Sequence, residues 1–576
     1  MKKIIIFLTG LLTMISGCSD VLDVKDLSNY NPDNVWNDIK LTNAYLTNLY
    51  PGVLGGWPRD GGNADECLGI LGPDAVQVNN GTFKFWPYST IRNINLLLLQ
   101  IETGTLSQAQ KDPIIGQALF LRAFLYFKAV MYHGGVPIVK EPQQLTDDLM
   151  VSRNSTAECF DFIISDLDDA ARRLPVKYTG SDYGRIDQCA VAAFKGRVLL
   201  FKASPQFNPG NYYDNGYWTE AFNATKAACD LLTANGYGLV DNYTDVFETE
   251  RHQEAVLAVV YTNPSKTNGR GEDAVRPLSE SKNATGGDQP VWDFAEAFPM
   301  KDGHKVGESP NYAYDVQTYW LNRDPRFEQI IVYNGAIYEL SARAGRRQYT
   351  VPNIAASMDA FGYNIQGEWH ARTGIYTRKG IQEELNVAQV TLNDVDWLEI
   401  RYAEVMFNYA EAANEKGDRQ IGYDVLTAIR RRAGIEPGAD NLYGLKANMS
   451  REEMRTALMD EKRIEFCFEG KRFWDLRRHR LLHTYLNGMH KFGILASLKD
   501  HITLEEAIAK AQSFSLLPED FKYEVVDTRF QSPNSPDAMS TPESYYFFPI
   551  HNDEIQKNAN LEQNRDWGGT FDPTLH

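Results

Sequence analysis

Cysteine is scarce: the chain has six in 576 residues. Apart from Cys18 they fall at positions 67, 159, 189, 229 and 467, widely spaced and with no Cys-x-x-Cys pair. That spacing indicates neither a zinc site nor a full disulfide framework, although an exported protein could carry one disulfide. Positive charge is also in deficit. The formal net charge is −18, which argues against nucleic acid as a partner. Catalytic signatures are missing as well: there is no His-Glu-x-x-His, no Gly-x-Ser-x-Gly and no phosphate-cradling glycine loop ahead of a helix. Long apolar runs are absent after the first residues. The best of them, Ile94 to Ile101, is eight residues long and includes Asn95 and Gln100, too short to span a bilayer.

The beginning of the chain is different. Met1-Lys2-Lys3 and the apolar stretch Ile4 to Ile15 form a charged and then a hydrophobic segment of secretory type, read as a signal over residues 1–17. Ile15-Ser16-Gly17-Cys18 then resembles a lipobox, in which Cys18 becomes the acylated N-terminus and anchors the protein by lipid.

Helical periodicity dominates most of the chain beyond Cys18. Gln108 to Tyr132 carries apolar residues at helical spacing and stops at Gly134-Gly135-Val136-Pro137, a glycine cap followed by proline. Ser155 with Glu158, and Ser450 with Glu453, are capping boxes that open two more helices. Asp187 to Ala203, Trp218 to Ala234, Trp397 to Lys416 and Ile421 to Ala433 add further helices. Successive pairs of this length, crossing at small residues, fit a tetratricopeptide-like array.

The helix opened by Ser450 is the most informative. Met454, Leu458, Glu461, Ile464, Glu465 and Phe468 fall on one side, so two carboxylates one turn apart sit inside an apolar stripe. Glu461 and Glu465 could be an acid/base pair for glycoside hydrolysis. The preferred reading is structural: buried acids must be paired, a helix core is a poor place to admit a sugar, and Arg401, Arg430 and Arg432 are candidates to neutralise them. His479, His483 and His490 lack an assigned third ligand and have basic neighbours, so no metal or cofactor is assigned.

Glu461-Lys462-Arg463 with Glu465, then Glu469-Gly470, Arg472-Phe473-Trp474-Asp475-Leu476-Arg477, resembles the C-terminal signature of the SusD/RagB family. Four further blocks resemble it in the right order: Leu121-Arg122-Ala123-Phe124 to Pro137, Arg401 to Glu415, Ile429 to Gly434, and Phe547-Phe548-Pro549-Ile550 to Asn564. In the lipobox, Ile15 replaces the Leu typical of the family. The resemblance implies a lipid-anchored, cell-surface nutrient-binding protein of the outer membrane. Such a protein captures a glycan and hands it to a SusC-like TonB-dependent transporter, with no catalysis of its own. A peptide-binding member of the same superfamily and a surface glycosidase using Glu461 and Glu465 are the alternatives.

The expected fold is therefore all-α: tetratricopeptide-like helix pairs over residues 18–262, a loop-rich aromatic insertion over 263–393, and a C-terminal helical part over 394–576. The insertion is punctuated by glycine and proline, with β-like runs such as Phe327 to Tyr333. From Trp292 to Tyr376, 15 of 85 residues are aromatic against 12% for the chain, and loops on a rigid scaffold are where binding residues concentrate. Indoles on loops offer flat platforms for a pyranose face. Trp57, in the glycine-rich Gly55-Gly56-Trp57-Pro58, and Trp369, in a polar irregular stretch, are the leading ligand candidates. Trp292, Tyr312, Tyr314, Trp86 and Trp320 come next. Trp36, Trp218, Trp397 and Trp474 are assigned to packing.

Overall fold

The computed structural model describes residues 35–575, apart from stretches at 59–60, 69–77, 145, 269, 271–274, 283–287, 356–358, 362–363, 366–367, 370 and 529–537. The signal segment and Cys18 lie outside the described residues. Helices α1 (Ile39–Leu49), α2 (Tyr88–Thr103), α3 (Gln108–His133), α4 (Thr156–Arg173), α5 (Gln188–Ala203) and α6 (Tyr217–Ala234) pack in sequence, each mainly against its chain neighbours. Helix α3 is the axis. It starts from a capping box at Ser107 and Gln110, ends at Gly134 with φ +76°, and is buried along most of its length. Among the described residues it alone is long and apolar enough to cross a membrane, and it is packed into the core instead.

The helical array resumes beyond the insertion with α7 (Tyr402–Glu415), α8 (Arg419–Ala433) and α9 (Arg451–Glu465), and α7 packs directly on α6. The chain thus leaves the scaffold and returns to it at one place. The neck is an antiparallel strand pair, β1 (Ala255–Val259) with β2 (Trp397–Arg401), in which Ala258 faces Leu398 and Val259 faces Trp397. Trp397 to Arg401 is therefore not the helix that the sequence suggested. Its five residues pair with β1, and Arg401 stays extended (φ −122°, ψ 157°) as the N-cap of α7.

The region between β1 and β2 has a hydrophobic centre of its own. Trp292, Phe294, Phe298, Tyr319, Trp320 and Phe327 pack there edge to face, together with residues of a C-terminal hairpin, β3 (Phe492–Leu498) and β4 (Phe521–Asp527). Phe327 to Tyr333, expected as strand, is instead a short helix Pro325–Ile330 capped by the Asp324 side chain, with the two-residue strand Ile331–Val332 after it. Helix α9 opens with the Ser450/Glu453 capping box and ends at Glu465. A turn through Phe468 (φ +58°) and Gly470 (φ +66°) leads into α10 (Arg472–Arg478). Glu461 and Glu465 are buried on α9, and the turn buries Glu469 after them.

Candidate functional site

The inward carboxylates form a closed charge lattice. Glu461, 1% exposed, accepts from Arg326 (2.6 Å) and Arg430 (2.7 Å). Glu465, fully buried, accepts from Arg401 (2.7 Å), Arg326 (3.1 Å) and Arg432. Glu469 accepts from Arg401 (2.9 Å) and Lys379 (2.7 Å), while Glu254 takes a further bond from Arg401 (2.6 Å). Burial pushes the Glu465 carboxyl upward, and the guanidiniums of Arg432, Arg401 and Arg326 more than reverse it, so it lies well below the ordinary carboxylate range. Glu461 and Glu469 are lowered for the same balance of reasons. An acid held ionised between guanidiniums has no proton to donate. These ion pairs tie α7, α8 and α9 to the Asp324–Arg326 turn of the insertion.

Beside it lies an open cleft of about 440 Å³. The signature turn and α10 form one wall, with α3, α5 and β2 on the other sides and the Gly55–Pro58 loop at its edge. Three indoles face it: Trp57 and Trp474, both half-buried, and Trp397, 3% exposed. Trp57 and Trp397 meet with ring centroids 5.1 Å apart, and Trp474 packs edge-on against Tyr132 at 4.9 Å. The Trp57 loop must run close to its neighbours. A Cβ on Gly56 would fall 2.2 Å from the Tyr261 hydroxyl and displace it, and one on Gly380, at φ +72°, would strike the Trp57 ring at 2.5 Å, so glycine is required at Gly380.

Polar groups line the same space. Arg197 bonds Glu399 (2.7 Å) and Glu404 (2.6 Å), Lys471 reaches Glu404 (3.0 Å), and Lys462 and Arg478 share Asp475 (2.8 Å each). Burial raises the Glu404 carboxyl, but Arg197 and Lys471 outweigh it and bring it down to about 2. Lys128 of α3 and Asn408 of α7 complete the wall. Apolar ring faces beside fixed donors and acceptors are what a sugar ring requires of a site.

Of the sequence-derived ligand candidates, Trp57 lines this cleft. It is also held in place: its Nε1 donates to the Val395 carbonyl (3.2 Å), and Arg270 sits over its ring at 4.8 Å. Trp292 and Trp320 are corrected to packing, 5% and 8% exposed, because the insertion must bury its own apolar surface and these rings supply it. Trp320 stacks on Tyr333 at 5.4 Å. Tyr312 and Tyr314 are half-buried away from the cleft, donating to Glu436 (2.8 Å) and Glu296 (3.3 Å). Trp86 packs on Tyr88 (4.8 Å) and His133. Trp369 pairs by backbone with Asn364, and its side chain lies outside the described residues. The chain leaving it is tied back towards Trp57: Arg372 N–H donates to Gln289 (2.8 Å), and the adjacent Asp288 holds Arg270 (2.5 Å). His479, His483 and His490 have separate neighbours: Glu411, Tyr546 and Asp527.

Sequence reasoning missed Trp474 and Trp397 as cleft residues, since helical and motif context implied packing. Glu254, Asp324 and Arg326 were missed as lattice members. The only local signal was the density of charge around Asn322-Arg323-Asp324-Pro325-Arg326.

Residues 253–567 match the model of the SusD family, and residues 71–200 match a model described as starch-binding associating with outer membrane. SusD-like protein P38 of Formosa agariphila is 25% identical over 81% of this chain and 89% of its own length. SusD-like protein P2 of the same organism is 23% identical over 84% and 91%. A SusD-like carbohydrate-binding protein of Bacteroides fragilis has a similar structure, with a TM-score of 0.71 at 22% identity over 92% of this chain and 100% of that one. A laminarin-binding SusD-like protein superposes with a TM-score of 0.58 at 18% identity over 92% and 99%.

Proposed function

The chain belongs to the SusD family, and from that membership we propose that it is a lipid-anchored glycan-binding protein of the outer-membrane surface. It captures an oligo- or polysaccharide and delivers it to a SusC-like TonB-dependent transporter. The observation that carries the glycan reading is the cleft bordered by Trp57, Trp397 and Trp474, where ring faces stand beside ion-paired polar side chains fixed in position. Relatives described as carbohydrate-binding and laminarin-binding support it. The sealed Glu461/Glu465 lattice gives no support to hydrolysis.

The test is calorimetry against a panel of neutral and acidic oligosaccharides, with Trp57→Ala and Trp474→Ala. Truncating a central aromatic anchor costs about 2 kcal/mol or more, roughly thirty-fold in affinity. Both indoles also pack, so each variant is compared at a temperature where it is folded. Folded variants that bind as wild type, or a wild type that binds no glycan, would overturn the reading. Delivery is tested by co-purification with the transporter from outer membranes.

A further inference from the structure

Nine charged side chains line the cleft: Lys128, Arg197, Lys462, Lys471 and Arg478 against Glu399, Glu404, Glu469 and Asp475. Each of the four carboxylates is already held: Glu399 and Glu404 by Arg197, Asp475 by Lys462 and Arg478, and Glu469 from behind by Arg401 and Lys379. Four of the five cations are committed to carboxylates of this wall, Lys471 through Glu404. Lys128 is the remainder. Among the described residues it has no carboxylate partner, and its ammonium contacts only the Phe85 ring, at 5.6 Å.

A second group in the same wall is open to a ligand. Asn408 is 5% exposed and faces the cleft, yet its side-chain amide makes no hydrogen bond to any described residue. Its donor and acceptor open onto the cleft and are available to a ligand seated there. A spare cation and an available amide therefore share one pocket, of a volume within the range of about 300–1,000 Å³ usual for small-ligand sites.

We infer that the unit seated in this cleft is an acidic sugar, whose anionic group (a hexuronate carboxylate or a sulfate ester) is taken by Lys128 and hydrogen-bonded by Asn408. This rests on the glycan-binding reading and adds the chemical class of the sugar. The chain's charge of −18 gives the local cation its importance, because the protein as a whole repels anions. A ligand bearing charge at one recognised unit suits that arrangement.

The experiment is calorimetry of the mature full-length protein with four probes of matched length: tetragalacturonate, its methyl ester, a sulfated galactan tetramer and a neutral galactan tetramer. A charge-assisted hydrogen bond in a part-dehydrated site supports a preference of about tenfold or more. The expected result is that tetragalacturonate or the sulfated tetramer binds at least tenfold tighter than its uncharged counterpart, and which of the two wins names the anion. Lys128→Met keeps the aliphatic stem and should remove that preference, the acidic probe losing at least tenfold more affinity than the neutral one. Asn408→Asp should weaken the acidic probes selectively. Its melting temperature is measured first, and Lys128→Met carries the test if it does not fold. Equal binding of charged and uncharged probes, or an acidic preference that survives in Lys128→Met, overturns the inference and leaves glycan binding standing. Binding of none of the four, with neutral glucan oligomers also inert, overturns both.

Discussion

Glu465→Ala removes the carboxylate on which Arg326, Arg401 and Arg432 converge. Breaking a buried pair by deleting one partner costs about 3–5 kcal/mol, because the remaining charge stays buried and unpaired. Here three guanidiniums lose a shared acceptor, so the upper end of that range applies. Unfolding entropy near about 2.1 cal/mol/K per residue, over 576 residues, gives roughly 1.2 kcal/mol/K. Such a loss lowers the melting temperature by about 3–4 °C if the chain melts as one unit. Scanning calorimetry of the wild type, Glu465→Ala and the isosteric Glu465→Gln at pH 7 reads this directly, with the glutamine variant expected between the other two. The pH dependence supplies a second check. Because the folded Glu465 carboxyl is held below its ordinary value of 4.5, its contribution is fully present above about pH 4.5 and is lost as pH falls through the depressed folded value. The gap between wild type and variant should therefore be widest near neutrality and close in acid. A Glu465→Ala protein that melts within about 1 °C of wild type at pH 7, well inside the expected shift, or a gap that widens in acid, refutes this account.

Other expectations attach to single residues. Asp396 is pushed up to about 7, chiefly by burial, against the opposing hydrogen bond from Tyr261 N–H. Its folded value exceeds the ordinary 3.8, so it costs stability progressively as pH rises from about 4 through 7, and Asp396→Asn should raise the melting temperature at pH 8 but not at pH 4. Gly380→Ala forces an L-residue to φ +72° and a Cβ into the Trp57 ring. It should lower glycan affinity and shift the tryptophan emission, and an unchanged spectrum with unchanged affinity would count against Trp57 as a wall of the site. Cys18→Ala should release the protein to the soluble fraction, checked by fractionating cells that lack the transporter.

What the sequence disclosed was local. The capping boxes at Ser155/Glu158 and Ser450/Glu453 need only a few residues to be recognised, and both open helices at those positions. That Arg401, Arg430 and Arg432 are candidates to neutralise Glu461 and Glu465 was legible because a buried acid demands a cation, but which guanidinium meets which acid was not. Arg326 was not legible: it reaches Glu465 from 139 residues away, and nothing in its own neighbourhood marks that target. Trp397 to Arg401 read as helix because the strong periodicity of Tyr402–Glu415 extends backward over it. Only pairing with Ala255–Val259 makes it a strand. The insertion's aromatics misled for a physical reason. Irregular chain also needs a core, and composition cannot tell an indole that fills one from an indole that faces solvent. Trp292 is buried in that core, whereas Trp57 is half-buried at the edge of the cleft.

The charge lattice also sets an order of events in time. Glu254 and Arg326 leave the ribosome well before Glu465, and at about 5–20 residues per second the 139 residues separating Arg326 from Glu465 take roughly 7–28 s to emerge. Through that interval Arg326 has no signature carboxylate to close on, and Arg401, Arg430 and Arg432 join it in turn as they emerge, so the charged layer cannot close until the glutamates arrive. The last fifth of the polypeptide thus acts as a latch that arrives late. For a chain exported as proposed, threaded across a membrane before it folds, that delay is an advantage written into the position of three glutamates.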